Sequence, residues 1–211
     1  MLYNDEERAL MAVAKQPNMR TTNIAIRPFE NIIDDFSLRG RLAGRVLDIG
    51  PGQCDFLDLA RKAGAVATMG VDFDPAICSL GTSRGHEMVQ AHLQRGWPKD
   101  LGRHDGIFCR GSINVYWFRA DPRLLDEFLS GIGSAIREAS WAWIAPWNSP
   151  GANATQSDDS LLSRLDAWSA QFGIDRLQPG PLTRARYGIG YQIPRVEIWV
   201  KGLVSRAPLE D

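Results

Sequence analysis

Residues 46–52 read Val46-Leu47-Asp48-Ile49-Gly50-Pro51-Gly52, a short apolar run that meets an acid and then breaks into a glycine turn. A helical pattern follows over residues 53–63, and a second apolar run ends in another acid at Gly70-Val71-Asp72. This order of strand, glycine loop, helix, strand and acid is typical of half a nucleotide-binding α/β unit. Glycines let backbone N–H groups approach a ligand closely, and a strand-end carboxylate can accept hydrogen bonds from both hydroxyls of a ribose.

The spacing of the glycines distinguishes among nucleotide ligands. A dinucleotide fingerprint requires Gly-x-Gly-x-x-Gly, but Asp55 occupies the third glycine position here. The phosphate-binding pattern Gly-x-x-x-x-Gly-Lys-Ser/Thr does not occur in the sequence. The pattern therefore disfavours a nucleotide-dependent oxidoreductase, which stays as a rival hypothesis, and it excludes a phosphate loop of the NTPase type.

Two motifs carry a resemblance to a known family. Residues 46–57 resemble motif I of the class I S-adenosylmethionine-dependent methyltransferases, in which an acid ends the first strand and a Gly-x-Gly loop surrounds the methionine part of the cofactor. The segment Gly70-Val71-Asp72-Phe73-Asp74 resembles motif II of that family. The two motifs have the family's order and spacing, and the resemblance extends over about residues 29–200. It implies that the cofactor is S-adenosylmethionine.

The resemblance also assigns cofactor contacts to individual residues of the two motifs. Asp48 would orient the loop and the cofactor's amino group, or would cap the loop backbone. Gly50 and Gly52 would contact the cofactor through their backbone, and Asp72 would hold the ribose. Phe73 would lie against the adenine or simply pack against its neighbours.

Further candidates follow the third and fourth predicted strands. The family commonly has an acid after the third strand, near the adenine amino group, and here His92 holds that place; it would bind the adenine or lie at the surface. Arg110 ends the fourth strand and is predicted to contact the cofactor. Asn114 and Tyr116 occupy the position of motif IV and are the candidates for catalysis, although Tyr116 also suits an apolar packing face. The Asn/Asp-Pro-Pro-aromatic signature is absent, which argues against methylation of DNA adenine or of glutamine.

The histidines and cysteines show no metal-ligand spacing, so we predict no metal site. His86 and His104 are expected to lie at the surface. Cys54 lies in the glycine loop and is interpreted as a small space-filling residue rather than a nucleophile.

Composition narrows the class of partner. The chain has 211 residues, with 24 basic and 25 acidic side chains and a formal charge of −1. The chain therefore lacks the excess of positive charge that is typical of nucleic-acid-binding proteins, and no nucleic-acid partner is expected. No apolar run approaches the roughly 20 residues that span a bilayer. The first eight residues are acidic where a signal peptide would be basic, which predicts a cytoplasmic protein.

Strands that alternate with helices predict an α/β fold with a Rossmann-like, seven-stranded, mostly parallel sheet and helices on both faces. Parallel strands are predicted at residues 45–49, 68–72, 87–93, 106–110 and 141–145, and a closing antiparallel pair at 174–177 and 195–200. A helix from about residue 121 is predicted to include Ile136 and Ala139. The whole chain, 1–211, is expected to form one methyltransferase-like domain in which residues 1–42 are an N-terminal helical cap. One helix of this cap is predicted over residues 29–42.

The function predicted from these features is S-adenosylmethionine-dependent methyl transfer to a small-molecule or sugar-like acceptor. This acceptor class follows from the lack of a basic face and of large appended substrate domains. The rival interpretation is a catalytically inactive methyltransferase-like protein that serves as a binding or scaffold protein. His92 and the unusual residues after the fourth strand keep that rival open.

Overall fold

The computed structural model of the chain describes residues 29–30, 33–34, 38–110, 122–145, 159–177 and 197–201. Strands and helices alternate through these residues. In chain order the elements are β1 (Arg45–Ile49), α1 (Asp55–Lys62), β2 (Ala67–Asp72), α2 (Pro75–Ser83), β3 (Glu87–Gln90), β4 (His104–Arg110), α3 (Pro122–Ala135), β5 (Ile136–Ala145), α4 (Asp159–Phe172), β6 (Ile174–Leu177) and β7 (Glu197–Lys201). Short 3-10 turns span Arg39–Arg41, Leu93–Arg95 and Lys99–Leu101.

The strands form one sheet in the order β3-β2-β1-β4-β5-β7-β6. The five strands from β3 to β5 pair in parallel, which confirms the predicted Rossmann-like, mostly parallel sheet. β7 pairs antiparallel with both β5 and β6. The strand order reverses between β1 and β4, because the chain first moves outward to β2 and β3 and then returns. Ligands of open α/β sheets bind outside the carboxyl ends of the strands at such a switch point.

Two apolar clusters cover the two faces of the sheet. On one face, Leu47 and Ile49 of β1 pack with buried residues of α3 and α4, among them Phe128 and Trp168. On the other face, Val46 packs with residues of α1 and of the segment before β1. Successive residues of a strand point to opposite faces of the sheet. A strand that is covered by helices on both faces therefore has a continuous run of apolar residues in its sequence. The predicted placement of helices on both faces therefore agrees with this packing.

An aromatic stack fixes α1 against the sheet beside the switch point. The ring of Phe56 lies 3.8 Å from that of Phe108, with an interplanar angle of 12°. The Phe108 ring lies 4.8 Å from that of Trp143, at 11°. All three side chains are fully buried. Aromatic contacts add about 0.5–1.5 kcal/mol per pair to the burial of area, so this stack holds α1 firmly against β4 and β5.

Three predicted boundaries are wrong. The helix expected to include Ile136 and Ala139 ends at Ala135, and both residues belong to β5. The register between β4 and β5 shifts at the start of β5: His104 pairs with Ile136, whereas Gly106, two residues later, pairs with Trp141. Ala139 lies between these two pairs on β5 and has φ 58°. The third strand ends at Gln90 instead of residue 93, because the chain turns into a 3-10 helix at Leu93–Arg95.

The third wrong boundary lies before β1, where one helix is expected over residues 29–42. The described residues 29–30 and 33–34 are helical, but Leu38 is not, and a separate 3-10 turn occupies Arg39–Arg41. Ile33, Leu38 and Leu42 are buried in the cluster that also contains Phe56. Most of the predicted cap, residues 1–42, lies outside the described residues. None of the described helices combines the length and the apolar character that a bilayer crossing requires.

Candidate functional site at the carboxyl ends of β1, β2 and β4

The glycine loop between β1 and α1 lies at the switch point. Gly50 has φ 68° and Gly52 has φ 53°, the left-handed region that favours glycine. The N–H of Gly50 donates to the carbonyl oxygen of Val71 at 2.8 Å, which ties the loop to β2. A Cβ built at Gly52 would meet no atom within 4 Å, so the backbone is open on that side. The loop thus offers accessible backbone at the amino end of α1, where anionic or polar groups bind.

Cys54 ends the glycine loop with an unusual backbone conformation. Its φ of 61° is left-handed, although cysteine has a Cβ. The side chain is fully buried. Burial raises the pKa of the Cys54 thiol to about 12, and the nearby charge of Asp48 adds to the rise. The thiol therefore stays protonated at neutral pH, which agrees with the prediction that it is not a nucleophile.

Asp72 ends β2 with its carboxylate turned into the following loop. Its Oδ1 accepts a hydrogen bond from the backbone N–H of Asp74 at 2.9 Å. The Asp72 side chain is 7% exposed, and burial raises its pKa to about 6 although the N–H groups of Asp74 and Phe73 oppose the rise. An ionised carboxylate can accept about four hydrogen bonds, so the two backbone donors leave capacity for two more.

Asp48 lies one strand away from Asp72 and is buried at 3% exposure. Burial raises the pKa of Asp48 well above its usual range, and the charge of Asp72 raises it further. Arg110, at the end of β4, lowers the same pKa. The guanidinium of Arg110 lies 4.9 Å from the centre of the Phe29 ring, which holds this cation above the second apolar cluster.

Phe73 and His92 pair with each other beyond the ends of β2 and β3. Their ring centres are 5.3 Å apart and inclined by 37°, and both residues are half-buried. His92 directly precedes the 3-10 turn Leu93–Arg95. The contact of either ring with adenine, and the alternative that His92 simply lies at the surface, both stay predictions.

The structure thus brings all seven predicted cofactor residues to one edge of the parallel sheet: Asp48, Gly50, Gly52, Asp72, Phe73, His92 and Arg110. Asn114 and Tyr116, the candidates for catalysis, lie outside the described residues. Their assignment to the acceptor side therefore stays a prediction.

The expectation that His86 and His104 lie at the surface is wrong, since both are buried. The imidazole of His86 lies between the Thr68 hydroxyl, 2.8 Å from Nδ1, and an Asp58 carboxylate oxygen, 3.2 Å from Nε2. The Nε2 of His104 lies 2.6 Å from the carbonyl oxygen of Leu101. Burial lowers the pKa of both histidines, so both are neutral at pH 7. Each buried imidazole thus has a polar partner. Those of His86 lie 18 and 28 positions earlier in the chain, and that of His104 lies three positions earlier.

Residues 81–85 match the pattern Gly-x-Ser-x-Gly of hydrolase nucleophiles, with Ser83 at its centre. A nucleophile elbow places its serine on a sharp turn from a strand into a helix. Ser83 instead ends α2, is exposed, and donates its hydroxyl to the carbonyl oxygen of Leu80 at 2.7 Å. The match therefore does not form the hydrolase arrangement.

No sequence pattern predicts a role for Arg84, whose side chain reaches the glycine loop. Its Nη1 donates to the carbonyl oxygen of Gln53 at 2.6 Å and to Asp58 Oδ2 at 3.0 Å. These partners lie 31 and 26 positions earlier in the chain, so no local periodicity marks the contact.

No protein-family model matches the chain, and no curated protein sequence matches it at a significant level. Solved structures do resemble it. The N-methyltransferase NodS from Bradyrhizobium japonicum, in complex with S-adenosyl-L-homocysteine, is 9% identical and has a TM-score of 0.62 over 93% of this chain and 97% of NodS. A S-adenosylmethionine-dependent methyltransferase from Clostridium acetobutylicum is 9% identical, with a TM-score of 0.61 over 94% of this chain and 100% of its own.

Magnesium protoporphyrin IX methyltransferase from Synechocystis, with bound S-adenosyl-L-homocysteine, is 12% identical and has a TM-score of 0.57 over 94% of this chain and 95% of its own. At such low identities the likeness is one of fold. The strand order and the glycine loop at the switch point agree with it. The chain therefore has the fold of the class I S-adenosylmethionine-dependent methyltransferases.

Proposed function

We propose that the protein binds S-adenosylmethionine at the carboxyl ends of β1, β2 and β4 and transfers its methyl group to a small-molecule or sugar-like acceptor. One observation carries the proposal. Asp48 and Asp72 are buried carboxylates at the ends of adjacent strands, on either side of a loop whose glycines have positive φ. Carboxylates with perturbed pKa values in a ligand-binding region are candidates for a functional site, and open α/β sheets bind their ligands at the switch point.

The residues present fit the cofactor. Asp72 has acceptor capacity beyond its backbone donors, which suits the two hydroxyls of a ribose. The loop presents open backbone at Gly52, which suits the methionine part. Phe73 and His92 would hold the adenine, and Asp48 and Arg110 would orient the charged groups of the methionine part.

When bound, S-adenosylmethionine supplies an electrophilic methyl group on a sulfonium. The task of the protein is then to align the acceptor with that methyl group, to exclude water and to accept a proton where the acceptor carries one. Asn114 and Tyr116 are the candidates for these roles, since they follow β4 in the sequence. We expect Tyr116→Phe to slow methyl transfer while the affinity for S-adenosylhomocysteine stays unchanged.

The charge of the chain supports a small acceptor. Twenty-four basic and 25 acidic side chains leave a net charge of −1, without the excess of cations that binds phosphate backbones. Similar folds act on different substrates; the Synechocystis enzyme is named for magnesium protoporphyrin IX. The acceptor class is therefore proposed from charge and composition rather than from those neighbours.

Isothermal titration calorimetry of the purified protein tests the proposal. S-adenosylmethionine and S-adenosylhomocysteine are titrated separately, and NAD serves as the control for nonspecific binding of an adenine nucleotide. We expect both adenosyl ligands to bind in the micromolar range and NAD not to bind. Binding of NAD alone would favour the oxidoreductase, and the absence of any binding would overturn the cofactor assignment. Tight binding without transfer to any screened acceptor would favour the inactive scaffold.

A further inference from the structure

We propose that Arg84 is a positioning residue of the glycine loop and holds it in the conformation that receives the ligand. Arg84 directly follows α2, and its backbone N–H closes that helix on the carbonyl oxygens of Leu80 and Gly81. Its side chain then crosses to the loop between β1 and α1. The inference rests on the proposed function, because it concerns the loop that is proposed to bind the cofactor.

The contact with the loop falls on one peptide group. Nη1 of Arg84 donates to the carbonyl oxygen of Gln53 at 2.6 Å. The other end of that peptide is the N–H of Cys54, which donates to the carbonyl oxygen of Pro51 at 2.8 Å. Both polar groups of the peptide are thus fixed, one from within the turn and one from outside it. This peptide joins the glycine turn to Cys54, whose φ of 61° is unfavourable for a residue with a side chain.

The Cys54 conformation requires support from its surroundings. A non-glycine residue in the left-handed region is strained and persists only where neighbouring contacts determine its conformation. The hydrogen bond from Arg84 is charge-assisted and therefore stronger than a neutral one. It acts on the peptide immediately before Cys54. Arg84 consequently stabilises the turn that places Gly50 and Gly52 at the switch point.

Arg84 is itself held in place. Its Nη1 lies 3.0 Å from Asp58 Oδ2 and 3.7 Å from Asp55 Oδ1, both on α1. Arg61 binds Asp58 Oδ1 at 2.7 Å and donates to the carbonyl oxygen of Arg84 at 2.6 Å. His86 contacts the same Asp58 oxygen at 3.2 Å. The arginine side chain is therefore pre-organised toward Gln53 before any ligand arrives, which lowers the entropic cost of ordering the loop on binding.

Arg61 offers a matched control for Arg84. Both are arginines that contact Asp58, both lie near the ends of helices, and both are partly exposed. Only Arg84 touches the loop carbonyl. Arg84→Met and Arg61→Met therefore remove the same charge from the same network, but only the first removes the contact with Gln53.

The test combines a readout without ligand with one that uses ligand. Amide hydrogen exchange at Cys54, followed by NMR on the ligand-free protein, reports on the turn itself. We expect Arg84→Met to exchange about tenfold faster there than wild type. Arg61→Met removes a support of Arg84 but keeps the contact with Gln53, so its exchange is expected to rise clearly less than that of Arg84→Met. Calorimetry with S-adenosylhomocysteine is expected to show about tenfold weaker binding for Arg84→Met, as expected for a lost hydrogen bond to a charged group. A smaller loss is expected for Arg61→Met, which keeps the contact with Gln53.

Equal exchange and equal affinity in the two methionine variants would overturn the inference, and so would faster exchange without any loss of affinity. If wild type itself binds no adenosyl ligand, the proposed function fails; the exchange rates then decide whether Arg84 holds the turn. Arg84→Lys covers the case in which Arg84→Met does not fold. Lysine keeps the charge and can donate from its ammonium group but lacks the planar fork of arginine, so it is expected to recover part of the protection and of the affinity. An affinity equal to that of wild type would contradict the specific role of the guanidinium.

Discussion

Asp48 of β1 pairs in register with Gly70, two residues before Asp72 of β2, so the two buried carboxylates lie at the same edge of adjacent parallel strands. Burial raises the pKa of both, and the charge of Asp72 further raises the pKa of Asp48. Burial of a carboxylate disfavours its ionised form, because the protein replaces water poorly as a solvent for charge. The ligand-free protein therefore keeps two carboxyl groups at this edge whose ionised forms are disfavoured by burial.

Asp72→Asn is expected to stabilise the protein at pH 7 while weakening ligand binding. The folded pKa of Asp72, about 6, lies above that of the unfolded chain, so the ionised carboxylate destabilises the fold at neutral pH. Asparagine keeps an oxygen that can accept from the Asp74 N–H but carries no charge. We expect urea unfolding at pH 7 to show a gain of about 1–3 kcal/mol. Calorimetry should show at least tenfold weaker binding of S-adenosylhomocysteine.

The control is Asp126→Asn, which removes the same charge from an exposed acid of α3 that binds Arg164 at 2.7 Å. A surface ion pair contributes about 0–1 kcal/mol, so this variant should be slightly less stable or unchanged, with normal affinity. If Asp72→Asn instead loses stability and keeps its affinity, Asp72 is a structural cap and the ribose assignment is wrong.

The affinity for S-adenosylhomocysteine is expected to depend on pH through Asp72. The ionised carboxylate accepts hydrogen bonds from two hydroxyls, whereas its protonated form loses part of this capacity. With a pKa of about 6, Asp72 is mostly ionised above that pH, and the ionised, binding-competent fraction falls as the pH drops below it. Calorimetry between pH 5 and pH 8 should show weaker binding at the acid end in wild type and a flatter profile in Asp72→Asn. Parallel profiles in the two proteins would contradict the role of this carboxylate.

The placement of the candidate cofactor residues could be predicted because its signals are local. Seven residues, 46–52, contain all of these signals. The apolar run predicts a buried strand, the acid marks the end of that strand, and the two closely spaced glycines predict the turn that follows. Parallel pairing then brings the ends of β1, β2 and β4 together without further information. For this reason the sequence alone predicts that Asp48, Asp72 and Arg110 lie at one edge of the sheet.

Other features could not be predicted because their determinants are distant. Ile132 and Ile136 are four positions apart and both buried, so helical spacing continues across the junction of α3 and β5. Periodicity cannot separate a helix end from a buried strand that follows it directly. Arg84 and His86 depend on partners 18 to 31 positions away, and nothing in their own surroundings distinguishes them from exposed polar residues.

Gly106→Ala is expected to destabilise the protein by about 1–3 kcal/mol, because the new methyl group has no room in the sheet. A Cβ at Gly106 would lie against the indole ring of Trp141, the residue that pairs with Gly106 across β4 and β5. Trp141 is buried and cannot move aside freely. Gly40→Ala is the control, since a Cβ there meets nothing within 4 Å and its φ is not positive. Urea unfolding of both variants measures the difference, and equal stability would show that β5 adjusts at its irregular register.

His86 is expected to make the protein sensitive to mild acid. Burial lowers the pKa of His86, and Arg61 adds to that effect, while the Asp58 carboxylate opposes it. The unfolded chain takes up a proton near pH 6.5 that the folded protein does not, so this histidine's contribution to stability is complete above pH 6.5 and declines below it. His86→Gln removes the titrating group, so wild type should be the more stable protein at pH 7.5 and lose that advantage toward pH 5.

The matched control for this acid effect is Thr68→Val, which removes the hydroxyl 2.8 Å from Nδ1 but keeps the imidazole. It should lower the free energy of unfolding by about 1 kcal/mol and retain the acid-dependent decline of wild type. Urea titrations at pH 5, 6 and 7.5 measure all three proteins. An advantage of wild type over His86→Gln that stays constant or grows with acid would mean that His86 is protonated in the folded state. The Asp58 contact would then be an ion pair that outweighs burial and the two neighbouring arginines, Arg61 and Arg84.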